Sequence, residues 1–287
     1  MFKYLMYKFG EFCVNRMPLP LAYRIAMFVS DLHYYLSFRD RKAVHNNLKN
    51  IVEDESQVPY LVREVFRNFG KYLVEFFRMK SMVDRQFIKD NIEIKNIEKI
   101  QEVLDDKKGG LILTAHLGNW EMGAVIFSTL GYPLLAVAMP HKERPVNDLF
   151  NDQREAKGIT VVPMNLAVRR CLEALKENKL VALVADRDFS QNGEVLPFLD
   201  RQALIPKGVA AFSLKTGAPI IPTFLIRKDD DTFTLTVCDP IYPPQGSLEK
   251  DEKQKIVGII QQYLSFIEAK IRQHPTQWLM FREYWVK

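Results

Sequence analysis

The stretch Leu111-Ile112-Leu113-Thr114-Ala115-His116-Leu117-Gly118-Asn119-Trp120-Glu121 brings together an imidazole and a carboxylate across a Gly-Asn turn. Such a pair can do proton transfer. The imidazole takes a proton from an attacking hydroxyl, and the acid fixes its tautomer and stabilises the imidazolium that forms. His116 and Glu121 are five residues apart. On one continuous helix they would point about 140° apart, at ~100° per residue. They meet only if His116 lies on the turn before a helix and Glu121 in its first turn. The sequence supplies that arrangement. Leu111–Ala115 reads as a short buried parallel strand, bounded by Gly109-Gly110 and Gly118. Asn119 reads as a helix N-cap, and Glu121 suits the positive end of the helix dipole. A strand's carboxyl end is also where open α/β sheets bind ligands. The expectation is a catalytic His116 braced by Glu121, against the alternative of a structural histidine.

Other residues offer further chemistry. Asp186-Arg187-Asp188 follows the apolar strand 180–185, and acids there can orient a base, a basic partner or a metal. A DxD after a strand also fits metal-dependent, nucleotide-sugar glycosyltransferases. Lys142 and Arg144 form a basic loop after strand 134–139 that suits a phosphate. Arg154 lies in a charge-rich helix end, either a solvated face or a functional cation. Pro206-Lys207-Gly208 opens a small-residue helix, fit for close packing or for an anion at its N-terminus. His33, His45, His141 and His274 have no metal-ligand spacing with another His or Cys. Gly-x-Ser-x-Gly, Walker and Gly-x-Gly-x-x-Gly patterns are absent, which sets aside serine hydrolases, P-loop enzymes and dinucleotide binding.

The elements that must carry these groups fall into two stretches. Residues 1–90 read as helices, at 2–13, 21–36, 39–50 and 59–82. Residues 91–287 alternate strands (92–95, 111–115, 134–139, 159–163, 180–185, 219–227, 232–238) with helices (96–107, 119–130, 145–157, 166–178, 207–216, 249–273). That rhythm predicts an α/β fold with a mostly parallel central sheet and helices on both faces, preceded by a helical region. The 287 residues, 47% of them hydrophobic, allow a sizeable core. Three scattered cysteines give no disulfide framework and fit a reducing compartment.

Charge separates the same two stretches. Residues 1–50 hold eight Lys/Arg against three acids, which accounts for the whole net charge of +5. An excess there points to an anionic surface, membrane or nucleic acid. The first two helices carry apolar stripes (Leu5, Met6, Phe9, Phe12; Leu21, Ile25, Phe28, Val29, Leu32) among basic residues, a pattern suited to lying on a membrane. Neither has the ~18 uninterrupted apolar residues of a spanning helix. No signal-peptide cleavage pattern follows them.

Taken together the chain resembles the bacterial lipid A biosynthesis acyltransferase family, within the lysophospholipid acyltransferase group. The resemblance rests on the basic N-terminal helices, Asn68-Phe69-Gly70 with Glu75, Ala115–Glu121, Arg154 before Gly158, Asp186-Arg187-Asp188, Pro197-Phe198, Gly217–Pro222 and His274-Pro275-Thr276-Gln277-Trp278. It implies transfer of a fatty acyl chain from an acyl carrier protein or coenzyme A thioester to a hydroxyl of a lipid A precursor or related glycolipid. The site would be the cytoplasmic face of the inner membrane, with the protein peripheral or monotopic. By motif, His116 is the base, Glu121 its partner, and Arg154 and Asp186 further residues needed for activity; Asp188, Lys142, Arg144 and Asn119 are expected around the substrate. No metal, no cofactor beyond the thioester co-substrate and no nucleic acid partner are implied. Phe198-Leu199-Asp200 stands where the family has Phe-Phe-Gly. Asp-Arg-Asp resembles the related phosphatidylinositol mannoside acyltransferases, so that acceptor or a phospholipid is the alternative. From other classes, the competing readings are the glycosyltransferase above and a non-catalytic membrane-binding protein.

Overall fold

A computed structural model describes residues 1–189, 191–244 and 252–286. Helices α1 (Phe2–Arg16), α2 (Leu19–Leu36) and α3 (Phe38–Leu48) lead into the long α4 (Val58–Met82) and a short α5 (Arg85–Asn91). Then follow β1 (Ile92–Lys95), α6 (Glu98–Asp105), β2 (Gly110–Thr114), α7 (Trp120–Thr129), β3 (Leu134–Ala138), α8 (Arg144–Glu155), β4 (Thr160–Pro163), α9 (Ala167–Lys176) and β5 (Leu180–Val184). The chain continues through β6 (Glu194–Phe198), β7 (Arg201–Ile205), α10 (Gly208–Thr216), β8 (Ile220–Arg227), β9 (Phe233–Val237) and α11 (Glu252–Gln273). The expected helix start at 249–251 lies outside the described residues.

The seven-stranded sheet has the order β1-β9-β8-β2-β5-β3-β4 and is parallel except for the β8–β9 pair. The predicted α/β class, with a mostly parallel sheet and helices around it, is what forms. β2 is central and buried along its whole length, which explains its unbroken apolar sequence. The chain leaves β2 through α7 and skips one position to β3. β5 later fills the gap, so the carboxyl ends of β2 and β5 lie side by side.

Three of these elements, α5, β6 and β7, were not expected. α5 has an Asp84 cap whose side chain accepts the Phe87 N–H at 2.7 Å. β6 and β7 form a separate antiparallel hairpin. Its turn residues, Leu199 and Asp200, have φ of 49° and 63°, conformations that Asn-Gly usually signals.

α4 joins the N-terminal helices to the sheet. Val65, Phe66, Phe76 and Met79 belong to the same buried cluster as β2, β8 and α11. On its other side Gly70 lets α2 come close, since a Cβ there would meet Ser30 Oγ and lie 2.9 Å from the Ala26 carbonyl oxygen. The apolar stripes of α1 and α2 do not enter the core. Phe9 is 70% exposed and Phe28 64%, and Leu5, Met6, Phe12, Ile25, Val29 and Leu32 are exposed with them. Among the described residues no helix is long and apolar enough to cross a membrane.

Candidate active site

Strand register builds the centre of the site. Thr114, at the end of β2, pairs with Val184, at the end of β5. Two residues beyond each lie His116 and Asp186, and they face one another. His116 Nδ1 is 2.8 Å from Asp186 Oδ1, and the His116 backbone N–H donates to Oδ2 at 3.0 Å. The Trp278 indole N–H donates to the same Oδ2 at 3.0 Å. Asp186 is 0% exposed, so all its stabilisation comes from these donors. Burial alone would raise its pKa, but the His116 charge and the three donors outweigh it and hold the carboxyl below its ordinary value. With Nδ1–H directed at Asp186, Nε2 is left as the proton acceptor. It has no hydrogen-bond partner among the described residues.

Further bonds hold the backbone around His116. The Gly118 N–H donates to the Gln277 carbonyl at 3.0 Å and the Leu279 N–H to the His116 carbonyl at 2.8 Å, so the segment after α11 straps the turn. Gly118 has φ 63°, and a Cβ there would collide with the Leu225 carbonyl. A side chain at this position would displace either the turn or β8.

The expected His116–Glu121 pair does not form. Glu121 sits in the first turn of α7 as predicted, but its carboxylate is taken by Arg154, with Nε–Oε2 at 2.8 Å and Nη2–Oε1 at 2.6 Å. This bidentate pair ties α7 to α8 and leaves Asp186 as the acid on the imidazole. Burial would lower the Arg154 pKa, but Glu121 holds it above its usual value. Arg154 is thus neither a solvated helix end nor an uncompensated cation.

Asn119 caps α7 as expected, its Oδ1 accepting the Met122 N–H at 2.9 Å. Its Nδ2 donates to Glu75 Oε2 at 2.6 Å, and the residue is 1% exposed. All of its polar atoms are occupied, so it positions the turn and does not reach a ligand. Glu75 is fully buried on α4. Besides Asn119 it accepts from Tyr23 Oη at 2.7 Å and forms an ion pair with Arg227. Burial, followed by the Glu75 charge, keeps the Tyr23 phenol protonated far above its ordinary range. Sequence reasoning quoted Glu75 and Trp278 as motif letters without a role. The signal for Glu75 was a lone carboxylate among Val74, Phe76 and Phe77, whereas Trp278 follows a polar run that gave none.

A cavity of about 640 Å³ opens beside His116. Glu121, Arg154, Arg187 and Asp188 line it near the imidazole. The rest is apolar. Ala136, Ala138 and Ala182 form its floor on β3 and β5, and Val168, Leu172 and Phe212 wall it from α9 and α10. Small residues on the strands leave room that larger ones would fill. Lys142 and Arg144 do not line it. Lys142 is exposed, and Arg144, with its side chain 92% exposed, sits 3.7 Å from Asp148. The loop after β3 turns outward to start α8, which carries both side chains into solvent.

The sequence model of the family described as bacterial lipid A biosynthesis acyltransferase matches residues 2–287. The chain belongs to that family. It is 25% identical over 288 residues to a phosphatidylinositol mannoside acyltransferase of Mycolicibacterium smegmatis, covering 98% of this chain and 91% of that one. It is 23% identical to the lipid A biosynthesis lauroyltransferase of Escherichia coli, covering 93% of this chain and 85% of that one. Among solved structures, the 1-acyl-sn-glycerophosphate acyltransferase of Thermotoga maritima aligns over 86% of this chain and 98% of that one, with 15% identity and a TM-score of 0.39. The protein is therefore an acyltransferase of lipid metabolism. The glycosyltransferase and non-catalytic readings are set aside. The Asp186 oxygens that a DxD metal site would use are engaged by His116 and Trp278.

Proposed function

We propose that this acyltransferase moves a fatty acyl chain from an acyl carrier protein or coenzyme A thioester to a hydroxyl of a glycolipid or phospholipid, at the cytoplasmic face of a membrane. His116 Nε2 takes the proton of the acceptor hydroxyl as its oxygen attacks the thioester carbonyl. Asp186 holds Nδ1–H and stabilises the imidazolium. The tetrahedral intermediate collapses, the C–S bond breaks, and the departing thiolate takes the proton back from the imidazolium. The observation that carries this reading is an imidazole bonded to a buried carboxylate on one side and lining a mostly apolar cavity. The cavity suits the acyl chain.

Two observations support the membrane setting. The exposed apolar faces of α1 and α2 lie in the stretch that holds the chain's excess positive charge, as interfacial helices on an anionic bilayer do. The acceptors in the relatives' names, phosphatidylinositol mannoside and lipid A, favour a glycolipid. The test is acyl transfer from a labelled thioester to a membrane lipid extract, followed by mass spectrometry. His116→Ala is expected to lower turnover by about two to four orders of magnitude, the worth of a positioned base, in protein that still folds, with some loss of stability because Asp186 loses a donor. Near-normal transfer by that variant refutes the assignment.

A further inference from the structure

We propose that Arg187 binds a phosphate group carried by one of the two substrates. This site rests on the acyl-transfer reading, since that reading brings two phosphate-bearing molecules to the cavity. One is the phosphopantetheine arm of the donor; the other is the headgroup of a phosphorylated acceptor lipid.

The argument begins with the cations lining the cavity. Arg154 is neutralised bidentately by Glu121. Lys207 lies 3.4 Å from Glu194. Lys215 is exposed at the end of α10, where solvent and the helix dipole favour a positive charge. Arg187 has none of these compensations. Among the described residues it makes no hydrogen bond or ion pair, and its Nε is buried without a partner. The Asp186 carboxylate next to it in sequence is spent on His116 and Trp278. Burial and then the charge of Arg282 push the Arg187 guanidinium below its ordinary pKa.

A cation drawn partly out of water, offset only by the charge of an Asp186 already bonded to His116 and Trp278, is left able to take a further anion. The guanidinium lies over the Phe189 ring, 4.7 Å from its centroid, so its plane is held in place while its donors remain unused. Fixed planar N–H groups of this kind match the oxygens of a phosphate better than a lysine does. Arg187 also follows directly on the acid that holds His116. A phosphate bound there would lie in the same cavity as the base.

The test uses the full chain and equilibrium calorimetry with two pairs of water-soluble probes. One pair is 4′-phosphopantetheine and pantetheine; the other is inositol 1-phosphate and inositol. In one pair the phosphate is expected to tighten wild-type binding about 10- to 100-fold, the range for a charge-assisted fork. Arg187→Gln removes that advantage, and Arg187→Lys keeps part of it, both with an unchanged unfolding midpoint. An effect in the pantetheine pair assigns the site to the donor, and one in the inositol pair assigns it to the acceptor. The proposal is overturned if phosphate adds nothing in either pair, or if Arg187→Gln keeps the advantage. Calorimetry does not depend on turnover. Phosphate coupling without acyl transfer would sink the reaction and spare the site, and transfer without coupling would do the reverse.

Discussion

Two carboxylates are buried on opposite sides of the turn after β2, and they do different work. Asp186 and Glu75 are both 0% exposed, and each accepts three hydrogen bonds. The partners differ. Asp186 faces a histidine, the side-chain type suited to proton transfer near neutral pH, and that histidine lines the cavity. Glu75 faces a guanidinium, a phenol and an amide, none of which titrates there. The first arrangement can follow a proton through a reaction. The second clamps α2, α4, α7 and β8 around the turn. Burial by itself therefore does not mark a catalytic acid; the titration range of its partners does.

The comparison is broken most severely by exchanging the expected losses. Asp186→Asn should reduce turnover by about two to four orders of magnitude, because the base loses its tautomer and its counter-charge. If transfer by that variant is normal, Asp186 is no more catalytic than Glu75. Glu75→Ala should instead cost about 3–5 kcal/mol of stability, since it strands Arg227 in the core. Urea unfolding measures that loss, and activity per folded molecule should stay within a few-fold.

Acid sharpens the contrast. The Asp186 pKa is depressed in the fold, so its contribution to stability is complete above the unfolded value near 3.8 and is lost as pH falls through the lower folded value. The stability gap between wild type and Asp186→Asn should accordingly shrink as pH falls below about 5. A gap that widens in acid would reverse the sign. Trp278→Phe removes one donor from Asp186 and should lower turnover about tenfold, within the range for a hydrogen bond to a charged group. The loss of that donor makes Asp186 a stronger partner for the imidazolium. The acid limb of the rate profile should therefore move to higher pH, a shift that simple loosening of the core would not produce. The smallest effect on the fold belongs outside both clusters. Phe9→Ser and Phe28→Ser should change stability by less than about 0.5 kcal/mol. Each should weaken binding to anionic vesicles about tenfold, from the loss of one inserted aromatic ring.

The sequence by itself determined the element rhythm, and hence the fold class. Strand lengths and the Asn119 cap are local properties, and each was legible. The β6–β7 hairpin was hidden because Leu199 takes a positive-φ turn position that a leucine does not advertise. The site was half legible. His116 is marked by its place at the end of an apolar strand, but its partner is not. Spacing along the chain favoured Glu121, five residues away, over Asp186, seventy away. Only the tertiary structure places β5 beside β2 in register, which brings Asp186 onto the imidazole, while Arg154 of α8 draws Glu121 off. The physical reason is that strand order in a parallel sheet is fixed by how the crossover helices pack on its faces. That packing depends on contacts far apart in sequence, which no local pattern records.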